Sequence, residues 1–105
     1  MNKRTIILDA VRSPIGLKNG KLIGIRPDDL TAIVVKALLE RNSGISNKNI
    51  EDIVIGCAFP EGSQGMLMAR GISIMSGIPK EAGAKVVNRL CGSSMDAAHQ
   101  VSQAI

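Results

Sequence analysis

Three short runs along the chain are rich in β-branched and apolar residues and end near turn-forming residues. Residues 5–11 read Thr-Ile-Ile-Leu-Asp-Ala-Val, residues 50–56 centre on Ile-Val-Ile, and residues 84–88 centre on Val-Val. Runs of this length and composition, bounded by glycine and proline, are typical of strands. The first run is almost continuously apolar, which favours a strand buried on both faces, as in a parallel sheet. The pattern therefore predicts three strands.

A helical spacing of apolar residues follows each predicted strand. Pro27 and the two acidic residues after it mark the start of the first helix, and Gly44 marks its end. Its apolar positions have the spacing of one helix face: Leu30, Ile33, Val34, Ala37 and Leu38. A methionine-rich helix is predicted over about 66–76 and a third helix over 92–105. The order β-α-β-α-β-α predicts an α/β fold with mostly parallel strands joined by crossover helices.

Composition and charge narrow the class of protein. The 105 residues are 45% apolar and 21% charged, which favours one folded unit over disorder. Phe59 is the only aromatic residue, which argues against a reader of single-stranded nucleic acid. Thirteen basic and nine acidic residues give a net charge of +4, but the basic residues are spread out. A nucleic-acid partner is therefore not expected, and the charge suits an anionic small ligand at least as well.

The cysteine and histidine content bears on whether a metal site is expected and on the cellular compartment. Cys57 and Cys91 lie far apart, and His99 is the only histidine, so we expect no metal site. No glycine-rich pattern for binding a nucleotide phosphate is present. No signal peptide and no run of roughly 20 apolar residues is found, so we expect a cytoplasmic protein with reduced thiols and no membrane span.

The most informative segment is residues 88–95, Asn-Arg-Leu-Cys-Gly-Ser-Ser-Met. It places Cys91 where a predicted strand turns into a helix, followed by small residues that let other groups approach the sulfur. The N–H groups at a helix N-terminus favour a thiolate over a thiol, and we expect Arg89 to add to that field. The arrangement resembles a nucleophile elbow. The alternative is that Cys91 is a buried packing residue, which is common for free cysteines.

The other candidate residues have weaker cases. His99 lies about 12 Å further along the same predicted helix, beyond hydrogen-bond reach of Cys91, so a base for this thiol must come from outside these residues. Cys57 is interpreted as a packing residue, and Arg70 as part of an interface or a salt bridge. Four methionines are expected to fill core or subunit contacts: Met66, Met68, Met75 and Met95.

Several motifs in order along the chain resemble the thiolase family, in particular the degradative 3-ketoacyl-CoA thiolases. Residues 88–95 resemble the family's nucleophile motif, and residues 12–16 resemble its opening Arg-(Thr/Ser)-Pro-x-Gly. Residues 64–70 resemble its Gln-Gly-x-Asn-x-Ala-Arg segment, except that Leu67 stands in place of the asparagine. The resemblance covers the whole chain.

The resemblance implies a fold and a reaction. It implies a layered α/β/α thiolase fold in which residues 1–105 are the N-terminal part of a thiolase N-terminal domain, ending within the helix after Cys91. It also implies that Cys91 is the acyl-thioester nucleophile that cleaves a 3-ketoacyl-CoA to acetyl-CoA and a shortened acyl-CoA, or runs the reverse condensation. Coenzyme A is then a substrate, no bound cofactor is needed, and the full-length protein is expected to be a homodimer or homotetramer of fatty-acid β-oxidation.

The resemblance leaves alternatives open. The family's Asn-x-x-His, Gly-His-Pro and Cys-x-Gly-Gly segments have no counterpart in these residues, so we expect the chain to be inactive by itself. Within the family, a biosynthetic acetoacetyl-CoA thiolase is the main alternative. A non-catalytic remnant that serves only as an interaction module is the alternative from another class of protein.

Overall fold

The fold alternates helices with two parallel strands. The structure is a computed structural model that describes residues 3–105, so the first two positions of the predicted unit 1–105 lie outside it. Its regular elements are α1 (Pro27–Arg41), β1 (Asp52–Gly56), α2 (Met68–Met75), β2 (Gly83–Val87) and α3 (Ser93–Ala104), with single 3-10 turns at Asn47–Asn49 and Gly62–Gln64. The predicted α/β class and the parallel direction of the strands are confirmed.

The sheet consists of β1 and β2 in parallel register, with Asp52 opposite Gly83 and Gly56 opposite Val87. Parallel neighbours cannot be joined by a tight hairpin, and α2 forms the crossover between them. Helix α1 packs on α2, whereas α3 packs mainly on β1. The carboxyl ends of both strands therefore lie at the same edge of the sheet, next to the start of α3.

The core lies between α1, β1 and α2 and is aliphatic. Its buried members are Ala32, Cys57, Met68 and Ile72, with Val35, Ile53, Ile55 and Val86 packed against them. Of the four methionines expected to pack, Met68 is in the core, while Met66, Met75 and Met95 are exposed within residues 3–105.

The predicted first strand, residues 5–11, is not a strand in the structure. A strand needs a neighbour to pair its N–H and C=O groups, and within residues 3–105 this run has no backbone partner. Its apolar side chains are exposed: Ile6 by 73%, Ile7 by 86% and Leu8 by 71%. The observed order is therefore α-β-α-β-α, and the prediction of a leading buried strand was wrong for this structure.

Side chains hold residues 5–11 to the rest of the chain. The carboxylate of Asp9 accepts hydrogen bonds from Arg41 Nε at 2.8 Å and Asn42 Nδ2 at 2.7 Å. The hydroxyl groups of Thr5 and Ser102 lie 2.7 Å apart. The run is thus tied to the end of α1 and to α3 by polar contacts rather than by a sheet.

Two helix boundaries differ from the predicted ones for local reasons. Helix α1 ends before Gly44 because the side-chain amide of Asn42 donates to the Leu38 carbonyl at 2.9 Å. Helix α2 begins after residue 66 because Met66 and Leu67 adopt left-handed φ values of 52° and 51°. Within residues 3–105, no helix combines the length and the apolar character needed to cross a membrane.

Candidate active site

Cys91 lies in the connection between β2 and α3, and its side chain is exposed. Strand β2 ends at Val87 and α3 begins at Ser93, so the cysteine follows a strand and precedes a helix as the sequence predicts. Its exposure disagrees with the alternative that Cys91 is a buried packing residue. The thiol is therefore presented to solvent at the carboxyl edge of the sheet.

The backbone before Cys91 is held in a strained conformation by Asn88. Leu90 has a φ of 49°, a left-handed conformation that costs a non-glycine residue about 1–2 kcal/mol. The side-chain oxygen of Asn88 accepts the N–H of Leu90 at 2.9 Å. The amide nitrogen of Asn88 donates to the Ala58 carbonyl at 3.1 Å, which joins this turn to the end of β1. Asn88 thus fixes the residue directly before the thiol.

The hydroxyl of Ser93 closes the turn from the other side. It accepts the N–H of Arg89 at 2.9 Å and donates to the Leu90 carbonyl. Ser93 is only 4% exposed, so these hydrogen bonds are shielded from water. The N–H of Gly92 also donates to the Arg89 carbonyl at 3.0 Å. Residues on both sides of Cys91 are therefore held by short-range hydrogen bonds.

The N-terminus of α3 is the positive end of the helix dipole, and no side chain caps it. The N-cap residue is Gly92. The unsatisfied N–H groups of a first turn favour a negative charge nearby. Asp96 is the acidic residue of this turn, and it binds the Arg89 guanidinium at 3.1 Å.

The ion pair between Arg89 and Asp96 changes the expected electrostatics. The hydrogen bond from Arg89, followed by the one from Gln100, holds the pKa of Asp96 below its usual range. Because the carboxylate of Asp96 partners the charge of Arg89, the expected contribution of Arg89 to the field at Cys91 is offset. The helix terminus remains as the source of positive potential.

Cys57 and His99 occupy positions that suit structural roles. Cys57 is 6% exposed and belongs to the core, and its N–H donates to the Val87 carbonyl at 3.0 Å. The packing interpretation of Cys57 agrees with this burial. His99 is an exposed residue of α3, well beyond its first turn. The structure brings no imidazole to Cys91, and the chain contains no second one.

An open groove of about 780 Å³ lies beside β1 and is separate from the thiol. Its walls include Thr5 and Ile7 from the N-terminal run, Val54 from β1, and Ala97 and Val101 from α3. Cys91 does not line it. In the part of the chain that the structure describes, no group of three or more His, Cys, Asp or Glu side chains is arranged to hold a metal ion.

Sequence patterns predict no supporting role for Asn88 or Ser93 beyond membership of the motif at residues 88–95. The available signal was an asparagine two residues before a position that adopts a positive φ, and a serine at the first position of a helix. Without knowledge that Leu90 is left-handed, neither signal could be interpreted.

The chain matches a known family model over nearly all its length. The model described as "Thiolase, N-terminal domain" matches residues 5–105. A 3-ketoacyl-CoA thiolase of Marinomonas sp. (strain MWYL1) is 46% identical over 101 residues, which are 95% of this chain and 26% of that protein. A 3-ketoacyl-CoA thiolase of Shewanella frigidimarina (strain NCIMB 400) is 46% identical over 104 residues, 98% of this chain and 27% of that protein. The chain thus spans about a quarter of the length of these relatives.

Two solved structures are similar in fold. The Acat5 thiolase from Ascaris suum, in complex with coenzyme A, superposes with a TM-score of 0.81 and is 35% identical, covering 90% of this chain and 24% of that one. The acetyl-CoA acetyltransferase from Syntrophomonas wolfei has a TM-score of 0.77 and 32% identity, covering 89% of this chain and 23% of that one. The fold class predicted from the sequence is confirmed by both similarities.

Proposed function

The chain belongs to the thiolase family, and from this premise we propose that it is the part of a 3-ketoacyl-CoA thiolase that carries the acyl-accepting nucleophile, Cys91. The observation that carries the proposal is the exposed thiol of Cys91 on a turn fixed between β2 and α3. Relatives that share 46% of its residues are named 3-ketoacyl-CoA thiolases, which supports the substrate class.

The proposed reaction splits one difficult step into two. The Cys91 thiolate attacks the C3 carbonyl of a 3-ketoacyl-CoA, and the bond between C2 and C3 breaks. Its electron pair stays on C2 as the enolate of acetyl-CoA, which takes a proton from an acid, and the shortened acyl group remains on the sulfur as a thioester. The thiol of a second CoA then attacks this thioester, releases the acyl-CoA and restores the cysteine. Covalent catalysis of this kind replaces one high barrier by two lower ones.

This chain supplies the nucleophile and its orientation but not the proton transfers. Deprotonation of the thiol and protonation of the enolate both need groups within hydrogen-bond reach. The single imidazole, His99, is well along α3 from Cys91. Because no base is positioned at the thiol, we expect the 105-residue chain to accept one acyl group slowly, over a long incubation and without turnover. The histidine and second cysteine implied by the resemblance would come from a further part of a full-length enzyme.

The proposal extends to the substrates and the setting of the full-length enzyme. CoA thioesters are the proposed substrates, supported by the coenzyme A bound in the similar thiolase from Ascaris suum. CoA then takes part as a substrate, with no resident cofactor. We place the full-length enzyme in the cytoplasm, in fatty-acid β-oxidation, as a homodimer or homotetramer.

Acyl transfer from acetyl-CoA tests the proposal without requiring cleavage of a carbon–carbon bond. The folded chain is incubated with acetyl-CoA, quenched in acid and digested, and the acetylated peptide is identified by mass spectrometry. We expect one acetyl group, on Cys91, and its loss in Cys91→Ser. The matched variant Cys57→Ser removes the buried thiol, and acetylation should persist in it. Acetylation confined to Cys57, or absent from folded protein, would contradict the proposal.

An acetyl-CoA acetyltransferase is the second candidate. It is supported by the fold similarity to the Syntrophomonas wolfei enzyme of that name, at 32% identity. The two candidates differ in the acyl group that Cys91 accepts. Competition between acetyl-CoA and a longer acyl-CoA for Cys91 separates them, because a 3-ketoacyl-CoA thiolase should accept both, whereas an acetyltransferase should reject the longer chain.

A further inference from the structure

Strand β1 and helix α3 approach each other most closely at Gly56. A Cβ atom built on Gly56 would lie 2.6 Å from the Ser94 Cα, and closer still to the Ser94 nitrogen and the Ser93 carbonyl carbon. All three are main-chain atoms, so no side-chain rotation could relieve the clash. The first turn of α3 therefore rests directly on the backbone of β1.

Gly56 is also the last residue of β1 and lies opposite Val87, the last residue of β2. The turn that carries Cys91 starts immediately after Val87. The contact between Gly56 and α3 is thus made at the edge of the sheet where the thiol is presented. A shift of α3 at this point would move the end of the turn relative to its start.

Ser93 connects this contact to the thiol. Its main chain lies against Gly56, and its buried hydroxyl binds the N–H of Arg89 and the carbonyl of Leu90. Those two residues directly precede Cys91. A displacement of Ser93 would therefore be transmitted through one hydrogen bond to Arg89 and one to the left-handed Leu90.

We propose that Gly56 and Ser93 are positioning residues for Cys91. Gly56 sets how closely α3 approaches β1, and Ser93 converts that spacing into the conformation of the turn. Neither residue is proposed to touch a substrate. The proposal rests on the proposed function only in taking Cys91 as the nucleophile. The contacts of Gly56 and Ser93 do not depend on that function.

The chain offers a matched control for each residue. Gly71 lies in α2, and a Cβ there would meet nothing within 4 Å, so Gly71→Ala adds the same methyl group without a clash. Ser94 is the exposed neighbour of Ser93, and within residues 3–105 its hydroxyl makes no hydrogen bond. Ser94→Ala therefore removes the same atom without opening the turn.

The test compares the reactivity of Cys91 in Gly56→Ala, Ser93→Ala, Gly71→Ala and Ser94→Ala. The readout is the rate of iodoacetamide alkylation of Cys91 in the folded chain, divided by its rate in the same variant unfolded in urea, over a range of pH. A loss of stability alone would not alter this ratio in a folded sample. We expect the ratio to move toward one in Gly56→Ala and Ser93→Ala, and to remain at the wild-type value in both controls.

The second measurement is the rate at which acetyl-CoA acetylates Cys91 in the same variants. Because a misplacement of about 1 Å can lower a reaction rate roughly 100-fold, we expect a loss of that order in Gly56→Ala and a smaller loss in Ser93→Ala. If wild-type Cys91 accepts no acetyl group while the alkylation ratios respond as expected, the proposed function fails and the positioning roles stand.

Each sample is scored only after urea unfolding shows a cooperative transition. Trimethylamine N-oxide, which strengthens folding, is added to all samples where a variant needs it. An unchanged alkylation ratio in folded Gly56→Ala overturns the role of Gly56. Should Gly56→Ala fail to fold even then, Ser93→Ala decides, because it removes hydrogen bonds without adding a clash. A wild-type alkylation ratio in Ser93→Ala would overturn the role of Ser93 in fixing the turn that carries Cys91.

Discussion

Residues 5–11 and residues 88–92 are both irregular segments of backbone, yet they are held in very different ways. The segment around Cys91 is fixed at Leu90 by two side chains that are close in sequence: Asn88 accepts the Leu90 N–H, and Ser93 donates to the Leu90 carbonyl. Residues 5–11 are extended and exposed and are tied down mainly by polar side chains such as Asp9.

The difference shows what each kind of segment needs in order to be fixed. A turn can satisfy its backbone with side chains that lie a few residues away. A strand needs a second backbone, which no nearby residue can supply. The site turn is therefore specified locally, whereas the N-terminal run has strand composition but no partner within residues 3–105.

The largest contrast is expected between core and N-terminal isoleucines. Ile72 in α2 is 0% exposed and Ile7 is 86% exposed. Ile72→Ala should lower the free energy of unfolding by about 2–5 kcal/mol because it leaves a cavity. Ile7→Ala should change it by less than about 0.5 kcal/mol. Urea unfolding of both variants measures the contrast, and a loss in Ile7→Ala as large as that in Ile72→Ala would show that residues 5–11 are buried.

The next effect concerns the hydrogen bonds of the site turn. Asn88→Ala removes the bonds to the Leu90 N–H and the Ala58 carbonyl. At about 1 kcal/mol for each bond, the free energy of unfolding should fall by about 2 kcal/mol. Asn49→Ala serves as the control, because within residues 3–105 the side chain of Asn49 makes no hydrogen bond. Equal stability of the two variants would mean that Asn88 does not fix the turn.

A smaller, opposite effect is expected at the start of α2. Leu67 is the N-cap residue, has a φ of 51° and makes no side-chain cap. Asparagine tolerates the left-handed region and caps helices well, so Leu67→Asn should raise the free energy of unfolding by about 1 kcal/mol. Met66→Asn shares the left-handed φ but not the cap position and should gain less. Equal gains would assign the effect to backbone strain rather than to capping.

The smallest effect is the pH dependence of the polar anchor of residues 5–11. Hydrogen bonds from Arg41, and then from Asn42, hold the pKa of Asp9 below its usual range. Because the pKa is lower in the folded than in the unfolded chain, the anchor stabilises the fold above about pH 4 and loses this contribution as the pH falls through the folded value. NMR titration of the carboxylates measures the pKa of Asp9 in the folded and in the unfolded chain.

Replacing the arginine partner of each aspartate in turn sharpens this prediction. Arg41→Met should raise the pKa of Asp9 toward its ordinary value and leave that of Asp96 in place. Arg89→Met should do the reverse. If Arg41→Met left the titration of Asp9 unchanged, residues 5–11 would not be tied to α1 through this pair.

The parts of the fold that sequence patterns predicted well are those whose cause is local. The apolar spacing after Pro27 predicted a helix and the Val-Val run predicted a strand, and the structure contains both elements. The predicted core face of α1 was wrong, because Ala32 and Val35 face the core whereas Ile33 is exposed. The position of Cys91 between a strand and a helix was also predicted from local patterns. Its catalytic role stays a prediction.

The parts that could not be predicted depend on distant residues or on unusual backbone. The sequence of residues 5–11 does not indicate whether a neighbouring strand is present to pair with it. Leu90, Met66 and Leu67 carry positive φ values that their side chains do not favour, so composition gives no signal for them. The close approach of Gly56 to α3 joins segments far apart in sequence and becomes visible only in three dimensions.

The most direct test of Cys91 as a nucleophile is its rate of alkylation by iodoacetamide at mildly acidic pH, in the folded chain and in the chain unfolded in urea. The buried Cys57 serves as the internal marker of folding and should remain unlabelled until the chain unfolds. We expect Cys91 to react faster in the folded chain than in the unfolded one, because the turn holds it at the start of α3. A folded rate equal to or below the unfolded rate would contradict the central claim, since Cys91 would then be an exposed but ordinary thiol.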